Sequence, residues 1–262
     1  MDSLKFKLKT IIYMFAALLV VIIVVVLYLV FFVNGSATKS VGNNWFSING
    51  ASPIINNGRL WVNFAGIEGC EYCAVERFAF FDALSNFGNW SYYGKVVTLN
   101  DLPVTNYSQL PQTDALFYHA YEGDWTLNFL NPHLVYTSKY VNFTSEELYY
   151  DNYPNPSPLQ VFTPLEENYV NKYDPQRAVP FSLIGGNFFE VGAGSSLVSN
   201  GVPILFASNG TGYMPSYIIN QFNISGSTIN KGITEEADYI TAMICKDIGN
   251  AAPVCSSSLP SV

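Results

Sequence analysis

The hydrophobic pattern begins with an uninterrupted block. Residues 11–33 (IIYMFAALLVVIIVVVLYLVFFV) hold 23 positions without a charge. A helix of that length crosses a hydrocarbon core of about 30 Å with some tilt. Lys5, Lys7 and Lys9 precede the block, and only Lys39 follows within twenty residues. The positive-inside bias therefore predicts residues 1–10 in the cytoplasm and residues 34–262 outside, a single-pass cell-membrane topology. A cleaved signal peptide is the competing reading. Its apolar region is usually about 7 to 15 residues and ends in small side chains. Here the run is longer and closes on Tyr28, Phe31 and Phe32. An uncleaved signal anchor is the expectation, although Asn34-Gly-Ser-Ala-Thr offers a sequence that could be cut.

After a small, polar linker at 34–44, the pattern changes to that of a folded α/β domain over 45–262. Residues 59–65 (RLWVNFA) form a short apolar run rich in aromatic and β-branched side chains, which predicts a buried strand. Residues 74–87 (AVERFAFFDALSNF) place apolar side chains at 75, 78, 79, 81, 84 and 87, close to a helical period, and Gly88 follows as a stop. Residues 94–100 predict a strand, and 114–121 with 125–140 a hairpin or small sheet around Glu122-Gly-Asp. Residues 150–158 (YDNYPNPSP) predict a loop. Thr163-Pro-Leu-Glu has the capping-box form with proline at the first helical position, so a helix is expected from there to Tyr173. Residues 178–192 read as strand, Gly-Gly turn, strand. A helix is expected at 214–222. A last helix, capped by Thr234 and carrying Glu235 and Glu236 in its first turn, is expected to end near Gly249.

Composition narrows the function classes. The chain is 49 % apolar and only 12 % charged, yet 16 % aromatic, so it buries a core rather than remaining disordered. The net charge is −8. The first ten residues contain three of the twelve basic and one of the twenty acidic groups, so the exterior part carries 9 against 19, or −10. A nucleic-acid partner is not expected from such a balance. Sparse charge combined with many Asn, Ser, Thr and Tyr residues suits an acidic exterior, where carboxylates are partly neutralised. Six sequons lie outside, at Asn34, Asn89, Asn106, Asn142, Asn209 and Asn223. In an exported protein these are acceptor sites on surface loops, making the chain a glycoprotein.

The candidate chemistry lies in the cysteines. Cys70 and Cys73, separated by Glu71 and Tyr72, sit where a predicted strand turns into a predicted helix. Unpaired N–H groups and the helix dipole stabilise a thiolate on the first cysteine. That thiolate attacks a disulfide, and the second cysteine resolves the mixed disulfide. A static disulfide and half of a zinc site completed by His119 and His133, or by Cys245 and Cys255, are the bland alternatives. The two histidines are fourteen residues apart in predicted strands and read as ordinary, partly buried side chains, so no metal and no cofactor is expected. Of three formal connectivities, local pairing of 70 with 73 and of 245 with 255 needs the least rearrangement of the chain. The Cys245–Cys255 pair reads as a structural clip; a second redox pair relaying electrons is the sharper alternative.

WVNFAGIEGCEYCAVERFAFFDAL resembles the strand, CxxC and first helix of the thioredoxin fold, and AVPFSLIGGNFFEVG resembles its later segment, where a cis-proline precedes a hairpin. The resemblance covers about 59–100 and 160–225, and implies an inserted β-rich segment at about 101–160. It also implies a cis Val179–Pro180 bond packed against the cysteines, with Val179, Glu71 and Tyr72 forming a substrate groove. The GCxYCAxERFA, VPFxLIGG and ICK…PVC stretches are similar to an uncharacterised family of membrane-anchored, thioredoxin-like archaeal proteins of the Sulfolobus type. Two departures stand out. Gly69 stands where thioredoxins usually have Trp, and no proline lies between the cysteines. Glu71 is also expected to raise the Cys70 pKa relative to a neutral neighbour. The expected function is thiol–disulfide exchange on exported proteins, in the direction of oxidation or isomerisation, with those proteins or a membrane redox partner as partners. The alternative is a non-catalytic glycosylated surface or accessory protein with structural disulfides.

Overall fold

A computed structural model describes residues 38–67, 70–102, 116–119, 125–150, 157–158, 160–202 and 215–262. The apolar block at 11–33, linker residues 34–37, and Asn34, Asn106 and Asn209 lie outside the described residues. The rest of the stretch expected as linker, 38–44, is not a plain linker, because Thr38–Gly42 forms a strand at the edge of the main sheet. Among the described residues no helix is long and apolar enough to cross a membrane.

In chain order the elements are β1 (Thr38–Gly42), β2 (Trp45–Ile48), β3 (Ile55–Asn56), β4 (Arg59–Gly66), α1 (Glu71–Ser85), β5 (Gly88–Tyr92), β6 (Lys95–Val97), β7 (Phe117–His119), β8 (Trp125–Leu127), β9 (Leu134–Ser138), β10 (Val141–Glu147), β11 (Tyr149–Tyr150), β12 (Ser157–Pro158), α2 (Pro164–Tyr173), β13 (Phe181–Ile184), β14 (Phe188–Val191), α3 (Ser195–Ser199), α4 (Pro215–Phe222) and α5 (Thr228–Asp247). The main sheet runs β1-β2-β14-β13-β4-β10, with β3 also paired to β4. β4 and β10 are parallel, from Leu60 opposite Val141 to Gly66 opposite Glu147. β13 is antiparallel to both β4 and β14.

Alternation along β4 builds two cores. Leu60, Val62 and Phe64 face α1 and α5, joining Val75, Phe78, Ile240 and Met243 in the larger core. Trp61 faces the other way, with Ile48, Phe181, Leu183 and Phe189 packed beneath Val170 of α2. A strand covered on both faces reads as a nearly continuous apolar run, which is why RLWVNFA announces itself so clearly.

α1 forms where the periodicity predicts it. From Cys73 to Leu84 only Asp82 escapes full burial. The helix is enclosed because a second layer lies beyond it: β6, β5 and β9 make a separate antiparallel sheet. Trp90 of that sheet stacks on Phe81 of α1 at 4.8 Å and on Phe129 at 5.5 Å. Ser138 links the two sheets: its hydroxyl donates to the Phe87 carbonyl (2.6 Å) and accepts from the Tyr140 and Val141 amides.

The capping box of α2 is present, with the Thr163 hydroxyl and Glu166 carboxylate bonded to each other's backbone amides. The Gly-Gly turn joins β13 to β14 at positive φ, +58° and +66°. At Gly186 a Cβ would stand 2.4 Å from the Tyr169 hydroxyl, so glycine is required there for packing as well as for conformation.

Three expectations are revised. The strand expected at 94–100 is β6, and it belongs to the smaller sheet. The parallel neighbour of β4 is β10, which lies inside the stretch read as an insertion at about 101–160. The last helix starts at Thr228 rather than after Thr234, so Glu235 and Glu236 lie within it. Ser227 is its cap: the Ser227 hydroxyl accepts from the Asn230 amide (3.0 Å) while the Asn230 carbonyl accepts from Gly226 N–H (3.1 Å). This differs from a capping box in that the Asn230 side-chain oxygen takes the amide before the cap rather than that of Ser227 itself. Of the described sequons, Asn89 and Asn223 are exposed, but Asn89 lies in strand β5 and Asn142 is half-buried in β10.

Candidate functional site

Cys70 is the N-cap of α1. Its backbone is extended (φ −103°, ψ 116°), and its sulfur accepts from the Cys73 amide at 3.2 Å. A thiol thus does the work usually given to a serine or aspartate oxygen, satisfying one of the orphan N–H groups of the first turn. Glu71 opens the helix, and the Tyr72 ring is 40 % exposed. Cys70 is half-buried and Cys73 fully buried, and both are free thiols. Of the two local pairings expected, that of Cys245 with Cys255 is formed and that of Cys70 with Cys73 is not.

Pro180 reaches this helix end through sheet register. Phe181 of β13 lies opposite Ala65 near the end of β4, so the residues before β13 lie beside those after β4. The Val179–Pro180 peptide bond is cis. Lacking an N–H, Pro180 ends the ladder at no cost in hydrogen bonds, and its carbonyl accepts from Gly192 (2.8 Å). The Cys70 thiol lies 3.8 Å from the Val179 carbonyl, to which it donates. Cys70, Cys73, Val179 and Pro180 are thus brought together.

The two sulfurs have opposite acidities. A hydrogen bond from the Cys73 thiol holds the Cys70 pKa below its ordinary value. Burial works against this, whereas the Cys73 amide and the Arg77 guanidinium assist it. Glu71 does raise the Cys70 pKa, as expected, but as the smallest of these influences. Burial pushes the Cys73 thiol well up. The first sulfur is the more readily ionised and the second the less, the order that a nucleophile and its resolving partner would need.

Arg77 and Glu147 are the residues that sequence reasoning misses. They form a fully buried ion pair between α1 and β10, with Arg77 Nε 2.9 Å from Glu147 Oε1. Arg77 also donates to the Ile67 carbonyl (3.2 Å), tying the end of β4 to the helix, and lies over the Phe64 ring. The visible signal is a pair of adjacent charges, Glu76-Arg77, in an otherwise apolar helix.

Beside Val179 lies a cavity of about 600 Å³, whose described lining includes neither cysteine. Ile67 and Val179 form its end nearest Cys70. Leu148 and Phe162 supply apolar wall, and the exposed ion pair of Arg177 and Glu167 borders it. Of the three residues expected to form a substrate groove, Val179 lines this cavity, and Glu71 and Tyr72 are not among its described lining residues.

Cys245 and Cys255 are disulfide-bonded, with Cα atoms 5.4 Å apart, closing the C-terminal loop onto α5. They are unavailable as zinc ligands. His133 stacks on the Tyr93 ring at 3.9 Å; the His119 side chain lies outside the described residues.

A family model described as "Domain of unknown function (DUF929)" matches residues 47–246, and the chain belongs to that family. Cys70, Cys73, Arg77, Glu147 and Pro180 all fall inside the matched range. No curated protein and no solved structure matches the chain.

Proposed function

We propose that the protein is a membrane-anchored, extracytoplasmic thiol–disulfide oxidoreductase of thioredoxin-like fold. The observation that carries this reading is the pair of unequal sulfurs at a helix N-terminus: a half-buried, acidified Cys70 and a fully buried, protonated Cys73, with the Val179 carbonyl against the first. The element order supports the fold. A strand, CxxC, a helix and a parallel strand are followed by Pro180 and an antiparallel hairpin.

In isomerisation the Cys70 thiolate attacks a substrate disulfide. A Cys70–substrate bond forms and one substrate thiolate leaves. A second substrate thiolate then attacks the mixed disulfide and releases Cys70. When substrate rearrangement stalls, Cys73 gives up its proton and attacks the Cys70 sulfur, so the substrate leaves reduced and the pair leaves oxidised. In the oxidative direction a substrate thiolate attacks the Cys70–Cys73 disulfide, and the pair takes up the substrate's two electrons; a membrane redox partner then reoxidises it. The groove beside Val179 receives the polypeptide that flanks the substrate cysteine. The anchor at 11–33 holds this chemistry at the outer face of the membrane, where disulfides persist.

The test is a redox titration of Cys70 and Cys73 against glutathione, read by alkylation. A potential between about −120 and −270 mV is expected for a catalyst, whereas one well below about −300 mV assigns the pair a structural role and rejects the proposal.

A further inference from the structure

A second cluster is buried among α1, β14 and α5. Glu76 of α1, Glu190 of β14 and Glu236 of α5 are each 0 % exposed. A carboxylate oxygen from each lies within 4.8 Å of the others. The groups acting on the three are one another, Glu235, and neutral donors. Trp45 Nε1–H donates to Glu236 Oε1 (2.7 Å), the Asn43 amide donates to Glu236 Oε2, and Gly194 N–H donates to Glu76 Oε2 (3.3 Å). Both oxygens of Glu190 and Oε1 of Glu76 are buried without a hydrogen-bond partner.

Those orphan oxygens are the second observation. A buried carboxylate with no donor is costly, and the cost is relieved either by holding a proton or by binding a cation. Glu190 presents two such oxygens toward two further carboxylates. The backbone is shaped around the same centre: a Cβ at Gly194 would stand 1.4 Å from Glu236 Oε2. We propose that Glu76, Glu190 and Glu236 form a binding site for one divalent hard cation of the calcium class, which locks α1, β14 and α5 together.

The donor set selects the ion. It is all oxygen, which disfavours zinc and copper. Calcium accepts six to eight oxygens at about 2.3–2.6 Å, so oxygens on opposite sides of one ion are about 4.8 Å apart, the outer limit of this cluster. Three carboxylates supply up to six oxygens. Magnesium requires about 2.0–2.1 Å and retains several waters, for which a fully buried trio is poorly suited. Two positive charges against three negative leave one, which the Trp45, Asn43 and Gly194 N–H groups face. The site is invisible to spacing rules because its ligands are spread over residues 76, 190 and 236. It is independent of the cysteine chemistry proposed above.

The experiment uses the full-length protein in detergent, stripped with EDTA at neutral pH. Calorimetric titration with CaCl2 is expected to show one site per chain. At free calcium 100-fold above its Kd, the folded-to-unfolded ratio should rise about 100-fold in urea denaturation. Terbium is the local probe. Bound at the trio, it lies beside Trp45, and its luminescence on tryptophan excitation should appear at one equivalent and be displaced by calcium. Glu190→Gln should abolish both signals and remain folded without calcium. Absence of stoichiometric calcium and terbium uptake by the wild type overturns the proposal and assigns the trio to neutral, protonated acids. Unchanged uptake in folded Glu190→Gln overturns it equally. If that variant does not fold, the wild-type stoichiometry and the loss of terbium sensitisation in Trp45→Phe decide.

Discussion

Stability should fall as the pH rises from acid to mildly alkaline, and Glu146 gives the effect a single handle. Its carboxylate projects from β10 toward α2. The Asn63 side-chain amide donates to it and to Glu166 Oε1 (3.2 Å). Burial pushes its pKa from the ordinary 4.5 to about 8. The folded protein therefore holds a proton between those values that the unfolded chain has released. The resulting stabilisation is complete below about pH 4.5 and is lost as pH rises through about 8. The gap of roughly 3.5 units corresponds to a ceiling of about 5 kcal/mol at 1.36 kcal/mol per unit. Glu146 keeps partial contact with solvent, so about half of that, roughly 2–3 kcal/mol, is the expected contribution. Glu146→Gln keeps the shape and removes the titration. Urea denaturation of both proteins at pH 4.5 and pH 8 reads the difference. The variant should match the wild type in acid and exceed it at pH 8 by that amount. Equal pH slopes in the two proteins, or wild-type stability that climbs toward pH 8, would refute the reasoning.

Other outcomes follow from the same geometry. Brief iodoacetamide treatment of the reduced protein near pH 7 should label Cys70 and spare Cys73, by mass spectrometry; equal labelling contradicts the split acidities. Arg77→Met leaves Glu147 buried without its partner and should cost about 3–5 kcal/mol in chemical denaturation. The same change should raise the Cys70 pKa, read from the pH dependence of thiolate absorbance. Cys255→Ser opens the C-terminal clip and should lower stability by about 2–3 kcal/mol while leaving Cys70 alkylation unchanged. A loss of Cys70 reactivity in that variant would favour the electron-relay reading.

The legible parts of the fold are those fixed by neighbours in sequence. RLWVNFA, the Thr163 capping box, the Gly185–Gly186 turn and the period of α1 each carry their own local cause, and each element forms where expected. The CxxC at a strand-to-helix junction and the Val179–Pro180 bond are legible through spacing and resemblance. What escaped depends on distant pairing. β6 and β10 are both β-rich segments, and nothing local says which joins β4; register across 80 residues of chain decides it. Arg77–Glu147 and the Glu76, Glu190 and Glu236 trio share that character. A charge in an apolar helix reveals that a partner exists but not which residue it is. The start of α5 is not legible because the residue three places after its Ser227 cap is Asn230, not the Glu or Gln that the capping-box pattern seeks.

Beyond its first turn the helix capped by Cys70 is packed by the main sheet, by α5 and by the Trp90 layer. If Cys70 is the nucleophile proposed above, so rigid a post does not let it adjust its own aim. Whatever meets it must do the bending, which favours slack, extended polypeptide over finished globular surfaces. Under the proposed exchange chemistry, clients still being shaped would be the better fit. Drift in residues such as Phe78 or Phe81 would reset the direction of attack along with the durability of the fold, so these two properties evolve as one trait.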